Sequence, residues 1–194
     1  MSRTIDCTAL EAELRGTLST KRFQHSLSVS QTCVDLSQQY QEHLDENLLR
    51  ACGLMHDMAR EWTDDQLLTF AHEHALDLEA EEWEYPVLLH APVAAELLAQ
   101  RDFPTELCLA VRHHSLGSKN MGRMGLVLYL ADYLEPNRSH LDAQLRAELL
   151  KAPSLEGLCL KVMEMEGEYL RKKGKKSSEV SQSLKQFLEA GGRL

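Results

Sequence analysis

The stretch "LLRACGLMHDMAREW", residues 48–62, decides how this chain is read. Leu48, Leu49, Cys52 and Met55 recur at three- and four-residue intervals, which is the period of one face of an α-helix. That apolar pattern ends on adjacent His56 and Asp57. Both side chains are costly to bury without a partner, and a metal ion would satisfy the two together. Neighbours on a regular helix point about 100° apart, so His56 and Asp57 can face one centre only at a distorted helix end. Other segments must then supply the remaining ligands.

The same period recurs in Phe23, Leu27 and Val34, in Leu107 and Val111, and in Leu126, Val127, Leu130 and Leu134. Strand signals are scarce, since Ile occurs once and no alternating run is bounded by turn residues. An all-α, helical-bundle fold follows. Helices are predicted over about 8–18, 20–40, 45–59, 63–75, 85–101, 104–116, 122–135, 142–151, 155–172 and 178–190. Thr63 and Gln66 fit a capping box at the start of one of them. With 194 residues and 43% hydrophobic content, one globular domain is expected, with a motif-bearing core over about 20–140 and C-terminal helices over about 142–190. The basic run "RKKGKKSSE" from Arg171 reads as a solvated linker before a terminal helix, and less readily as a contact patch.

A net charge of −9 leaves no global basic field to hold a nucleic acid polymer, so an anionic substrate must be captured by local cations. The five cysteines, Cys7, Cys33, Cys52, Cys108 and Cys159, are scattered and form no CxxC pair, which fits a reduced, cytoplasmic chain. The opening "MSRTIDCTALEAELRG" lacks the apolar core of a signal peptide, and "LVLYLA" is too short to cross a bilayer. Neither secretion nor membrane insertion is expected.

The nine histidines separate by context. His25 in "KRFQHSLSV", His56-Asp57, His90 in "YPVLLHAPVAAELL", His113-His114 in "CLAVRHHSLG" and Asp132 in "VLYLADYLEPNR" each interrupt an apolar segment, whereas His43, His72, His74 and His140 lie among polar residues and read as surface. A lone histidine in an apolar helix is more often a hydrogen-bonded core residue than a ligand. Five such interruptions on separate helices would need five separate buried partners, and one or two metal ions could serve them all. Spacing does not choose between His113 and His114. Imidazole and carboxylate without thiolate suit one or two divalent transition ions, iron first, manganese or cobalt next.

The order His25, His56-Asp57, His90, His114, Asp132 resembles the HD-domain metallophosphohydrolases, an all-helical superfamily. The flanks "KRFQHSLSV", "GLMHDMAR", "LLHAPVAA", "VRHHSLG" and "LYLADYLEPNR" look more particularly like the YqeK-type symmetrical dinucleoside tetraphosphatases. That resemblance implies hydrolysis of diadenosine tetraphosphate to two ADP by metal-activated water. It implies that His25, His56, Asp57 and Asp132 hold one metal and that His90 and His114, with Asp57 bridging, hold a second, selecting His114 over His113. Arg60 stands where that family commonly has lysine, and "SKNMG" replaces its basic-Pro-Gly turn.

Catalysis is therefore expected to rest on Asp57 and Arg60. Arg22, Arg60, Arg112 and Arg138 are candidates for a phosphate clamp, because each lies within two helical turns of a proposed ligand and a planar guanidinium suits phosphate oxygens. Ser115 and Asn137 are candidate hydrogen-bond donors to substrate. Trp83, Tyr85 and Tyr133 could stack on a base, although aromatics at helical spacing are more often core. Other HD-type phosphohydrolases, acting on mononucleotides, deoxynucleotides or guanosine polyphosphates, and an inert helical binding module are the competing readings. The expected partner is a nucleotide, and a homodimer is compatible with the sequence.

Overall fold

The computed structural model describes residues 5–139 and 141–194; His140 lies outside them. The elements run α1 (Cys7–Thr17), α2 (Thr20–Gln39), α3 (Glu46–Met55), α4 (Asp64–Glu73), α5 (Ala80–Glu84), a 3₁₀ turn (Pro86–Leu89), α6 (His90–Ala99), α7 (Thr105–His113), α8 (Gly122–Leu134), α9 (Ala143–Leu149), α10 (Leu155–Lys172) and α11 (Glu179–Glu189). No strand occurs among the described residues.

Helix α8 is buried almost all round, from Met124 to Ala131 and again at Leu134. A helix without a polar face must be enclosed by others, and α2, α3, α7 and α10 pack against it. Buried apolar side chains form one cluster that reaches from Leu10 in α1 to Leu188 in α11. His25, His56, Asp57, His90 and His114 are buried within this frame, in places otherwise apolar.

Two local devices set the relation of α2 to the segment after α3. The N-cap Ser19 accepts from Arg22 N, while its own N–H and hydroxyl donate to the Glu61 carboxylate at 2.7 and 2.5 Å. Glu61 thereby anchors the start of α2 to the turn that follows Asp57. Farther along, a Cβ on Gly53 would stand 2.5 Å from Ser30 Cα and 2.7 Å from Ser30 N, so only glycine permits this approach of α3 to α2. The Ser30 hydroxyl donates to Arg50 O across the same contact at 2.9 Å.

Three expectations need correction. The helix predicted over 45–59 stops at Met55, and residues 56–62 form successive turns instead. The span predicted over 85–101 divides into the 3₁₀ turn and α6, because Pro86 starts a short tight turn that ends where α6 begins. The five-residue α5 was not predicted at all; it begins with a capping box in which the Glu82 side chain meets the Glu79 backbone. The capping box at Thr63 and Gln66 is present as predicted.

Replacing Gly53 with Ala should test the close approach. Alanine is the better helix former by about 1 kcal/mol, yet the clash with backbone should outweigh this and lower stability by about 1–3 kcal/mol. Urea denaturation reads the difference; an unchanged or higher midpoint would show that α2 and α3 do not depend on the missing Cβ.

Candidate metal centre

Three of the buried histidines share one local construction. His56, His90 and His114 are the C-cap residues of α3, the 3₁₀ turn and α7. The last carbonyls of a helix lack intrahelical donors, and each imidazole answers one: His56 Nδ1 donates to Gly53 O at 2.8 Å, His90 Nδ1 to Val87 O at 2.6 Å, and His114 Nδ1 to Val111 O at 2.7 Å. The bond sets both ring orientation and tautomer, leaving an Nε2 lone pair facing inward. His25, within α2, reaches the same state differently, through Nδ1 to Glu135 Oε1 at 3.1 Å.

These four Nε2 atoms converge on two carboxylates. Asp57 Oδ2 lies 3.4 Å from His56 Nε2 and 3.5 Å from His25 Nε2, while Asp57 Oδ1 lies 3.2 Å from His90 Nε2 and 3.8 Å from His114 Nε2. Asp132 Oδ1 completes the first group, 3.0 Å from His25 Nε2 and 3.7 Å from His56 Nε2. The two oxygens of Asp57 therefore face two different sets of imidazoles. Two groupings could each hold a metal ion: His25, His56 and Asp132, and His56, Asp57 and His114.

Acceptors facing acceptors repel. His90 Nε2 and His114 Nε2 are 3.2 Å apart, and with both Nδ1 atoms donating outward neither can donate to the other while neutral. His25 Nε2 and His56 Nε2 are buried with no hydrogen-bond partner among the described residues. Protonation offers only partial relief. Burial opposes a charge on His56, but Asp57 and Asp132 push it up to about 10. His114 is held below its ordinary value, by burial first and then despite Asp57 by the charges of His56 and His90. The imidazoles cannot all be charged together. A metal cation answers the whole donor set at once, and nitrogen and oxygen donors without thiolate are those of a divalent transition ion.

Glu135 was not anticipated, although it lies in the quoted "ADYLEPNR". Burial would raise its carboxyl, yet bonds from Ser28, Asn137 N–H and His25 hold it below the usual range. It therefore stays ionised and orients His25, as outer carboxylates orient ligating histidines elsewhere. The spacing of Glu135 three residues beyond Asp132 was available in the sequence; its partner across 110 positions was not.

The predicted clamp residues divide. Arg22 Nη1 lies 2.5 Å from Asp57 Oδ2, and Arg138 bonds the Asp132 side chain and donates Nε–H to Asp132 O at 2.7 Å. Arg60 is half-buried in the turn after Asp57, and its side chain has no hydrogen bond or ion pair among the described residues. Ser115 Oγ lies 3.3 Å from His90 Nε2. Arg112 is a correction: its Nη1 and Nη2 meet both oxygens of buried Glu82 at 2.6 and 2.9 Å, and Nη2 also donates to Asp77 O at 2.8 Å. It ties α7 to α5, and three of its five N–H groups are committed there and not beside His114. Asn137 has an exposed side chain with no bond among the described residues, and its backbone N–H donates to Glu135 Oε2 at 2.8 Å.

Residues 22–137 match the model of the HD domain family. That is more than half of the 194 residues, and the chain belongs to this family. Over 130 residues it is 30% identical to the symmetrical bis(5'-nucleosyl)-tetraphosphatase of Bacillus subtilis, covering 63% of this chain and 65% of that protein. The enzyme of that name from Halalkalibacterium halodurans is 29% identical over 123 residues, covering 62% of this chain and 64% of the relative. The matches thus span a little under two thirds of these relatives. Among solved structures, a predicted HD superfamily hydrolase involved in NAD metabolism from Clostridium acetobutylicum superposes with a TM-score of 0.85 at 25% identity, over 97% of this chain and 100% of that one.

Substitution should separate the neighbouring histidines. His114→Ala is expected to lower metal content sharply and His113→Ala much less, because burial and then Arg112 leave His113 neutral down to about pH 4 and no bond ties it to Asp57. Glu135→Ala, with all six inner groups intact, should weaken metal affinity about 10–100-fold. Metal analysis of purified protein reads both; equal losses at 113 and 114, or no effect at 135, would contradict these assignments.

Proposed function

We propose that this chain is a metal-dependent phosphohydrolase that cleaves dinucleoside polyphosphates symmetrically, taking diadenosine tetraphosphate and water to two ADP. The observation that carries the reading is the division of Asp57, one oxygen toward His25 and His56 and the other toward His90 and His114. His25, His56, Asp57 and Asp132 would hold one ion, and His90 and His114, sharing Asp57, a second. Divalent ions there, iron first and manganese or cobalt next, would supply water activated near neutral pH and neutralise charge on phosphate oxygens. The names of the Bacillus subtilis and Halalkalibacterium halodurans relatives support the substrate class.

The chain's own part is to bind and orient a tetra-anion that its net charge repels. Arg22 and Arg138 stand at the rim, each holding one inner carboxylate with part of its guanidinium and keeping other N–H groups for phosphate. Arg60 is uncommitted and has its full fork available. The Ser115 hydroxyl, beside His90, would donate to a phosphate oxygen. A nucleoside diphosphate is a good leaving group, so no separate acid is required, and phosphoryl transfer needs no covalent intermediate on the protein. The five cysteines are free and no described helix is long and apolar enough to cross a membrane, which supports a cytoplasmic setting.

A turnover panel tests the substrate. Metal-loaded protein should cleave diadenosine tetraphosphate faster than any 5'-mononucleotide, deoxynucleoside triphosphate or guanosine polyphosphate; the reverse ranking would move the activity to another branch of the family. Arg60→Ala should retain its metal and lose about 10–100-fold in kcat/KM, the equivalent of one charged hydrogen bond. An unchanged rate would remove Arg60 from the clamp.

A further inference from the structure

Acidic side chains outnumber cationic ones, 30 to 21. The arginines of the fold reflect that balance: Arg22, Arg50, Arg101, Arg112, Arg123 and Arg138 each have a carboxylate partner. The segment "RKKGKK", residues 171–176, instead places five cations in six positions. None of Arg171, Lys172, Lys173, Lys175 and Lys176 has a carboxylate within ion-pair distance among the described residues.

The backbone gathers these charges instead of spreading them along a helix. Gly174, at φ +69°, adopts the left-handed conformation that ends α10, with Lys175 N donating to Leu170 O at 2.9 Å and Gly174 N to Arg171 O at 3.0 Å. The chain reverses, and Lys175 and Lys176 come to line, with Arg171, Ser177 and Lys185, a cleft of about 430 Å³ between α10 and α11. Glu164 is the acidic residue in its wall. Lys175 is steadied by the Tyr85 ring, its Nζ 4.3 Å from the centroid, a contact that keeps the positive charge. Like charges lining one cleft repel, and an anion seated among them lowers the repulsion.

We propose that this cleft binds the phosphate groups of a small phosphorylated molecule, at a site separate from the histidine–aspartate centre. Its volume is that of a small-molecule pocket. Beyond it the chain is acidic, which disfavours a long polyanion that would run across the surface. The basic run is the exposed connection before α11 that the sequence led one to expect, and Arg171, Lys175 and Lys176 of it also line the cleft.

Hydrogen–deuterium exchange on the metal-loaded full chain tests this, with ADP and inorganic phosphate as separate probes. ADP is expected to protect backbone amides around Gly174 and through the start of α11, and Lys175→Glu with Lys176→Glu should raise the ADP concentration required by about tenfold or more. Both lysines are exposed, so the fold should survive, as the denaturation midpoint verifies; Arg171→Gln repeats the test from the other wall. Protection by phosphate at a similar concentration assigns the cleft to phosphate alone, and protection by ADP at far lower concentration assigns it to a nucleotide. The proposal is overturned by no protection from either probe, by protection that survives both variants, or by a single-stranded oligonucleotide acting at lower concentration than ADP.

Discussion

The centre depends on one constraint: each of its four histidines gives its Nδ1 proton to an acceptor outside the centre. Once that proton is committed, every inward-facing atom on the four rings, and every oxygen of Asp57 and Asp132, is an acceptor. Arg22, Arg138 and the Ser115 hydroxyl supply donors from the edge, but His25 Nε2 and His56 Nε2 remain buried lone pairs without one among the described residues, and such a set favours a cation. Helix ends make this inexpensive to build, because the carbonyls that take the protons from His56, His90 and His114 were short of donors already. For these three residues, imidazole orientation and helix termination are the same interaction.

The frame must then bring four helix ends and one helix interior to a common point. Helix α8, apolar on all sides, supplies the centre against which the others pack, and it carries Asp132 near its C-terminus. Gly53 lets α3 lie against α2 closely enough for the His25 and His56 rings to come within 5.3 Å of one another, centroid to centroid. Glu61 holds the first turn of α2 to the segment after Asp57. Arg112 and Glu82 tie α7 to α5. Misplacing any of these would shift a ligand while leaving most of the apolar core intact.

Charge is distributed by the same economy of partners. The chain as a whole is acidic, and most arginines are neutralised by specific carboxylates. Two groups of cations stand out among the described residues, Arg22, Arg60 and Arg138 around the centre and the basic run around Gly174. At the rim, the Arg22 and Arg138 guanidiniums are bonded to the inner carboxylates Asp57 and Asp132. At the turn, the lysines have no such partner.

Much was legible in the residues themselves. Apolar spacing identified the helical class, and the interruption of apolar helices by His25, His56, Asp57, His90, His114 and Asp132 picked out the groups that meet in one cluster, because a buried polar side chain needs a partner wherever it lies. What sequence could not supply was anything set by contacts between distant segments. The choice of Glu82 as the partner of Arg112, the bond from His25 to Glu135 and the folding back of Lys175 and Lys176 beside Arg171 depend on which surfaces touch. Residue spacing specifies local conformation and which groups must be satisfied; only tertiary packing decides what satisfies them, since hydrogen bonds and ion pairs act over a few ångströms of space regardless of separation along the chain.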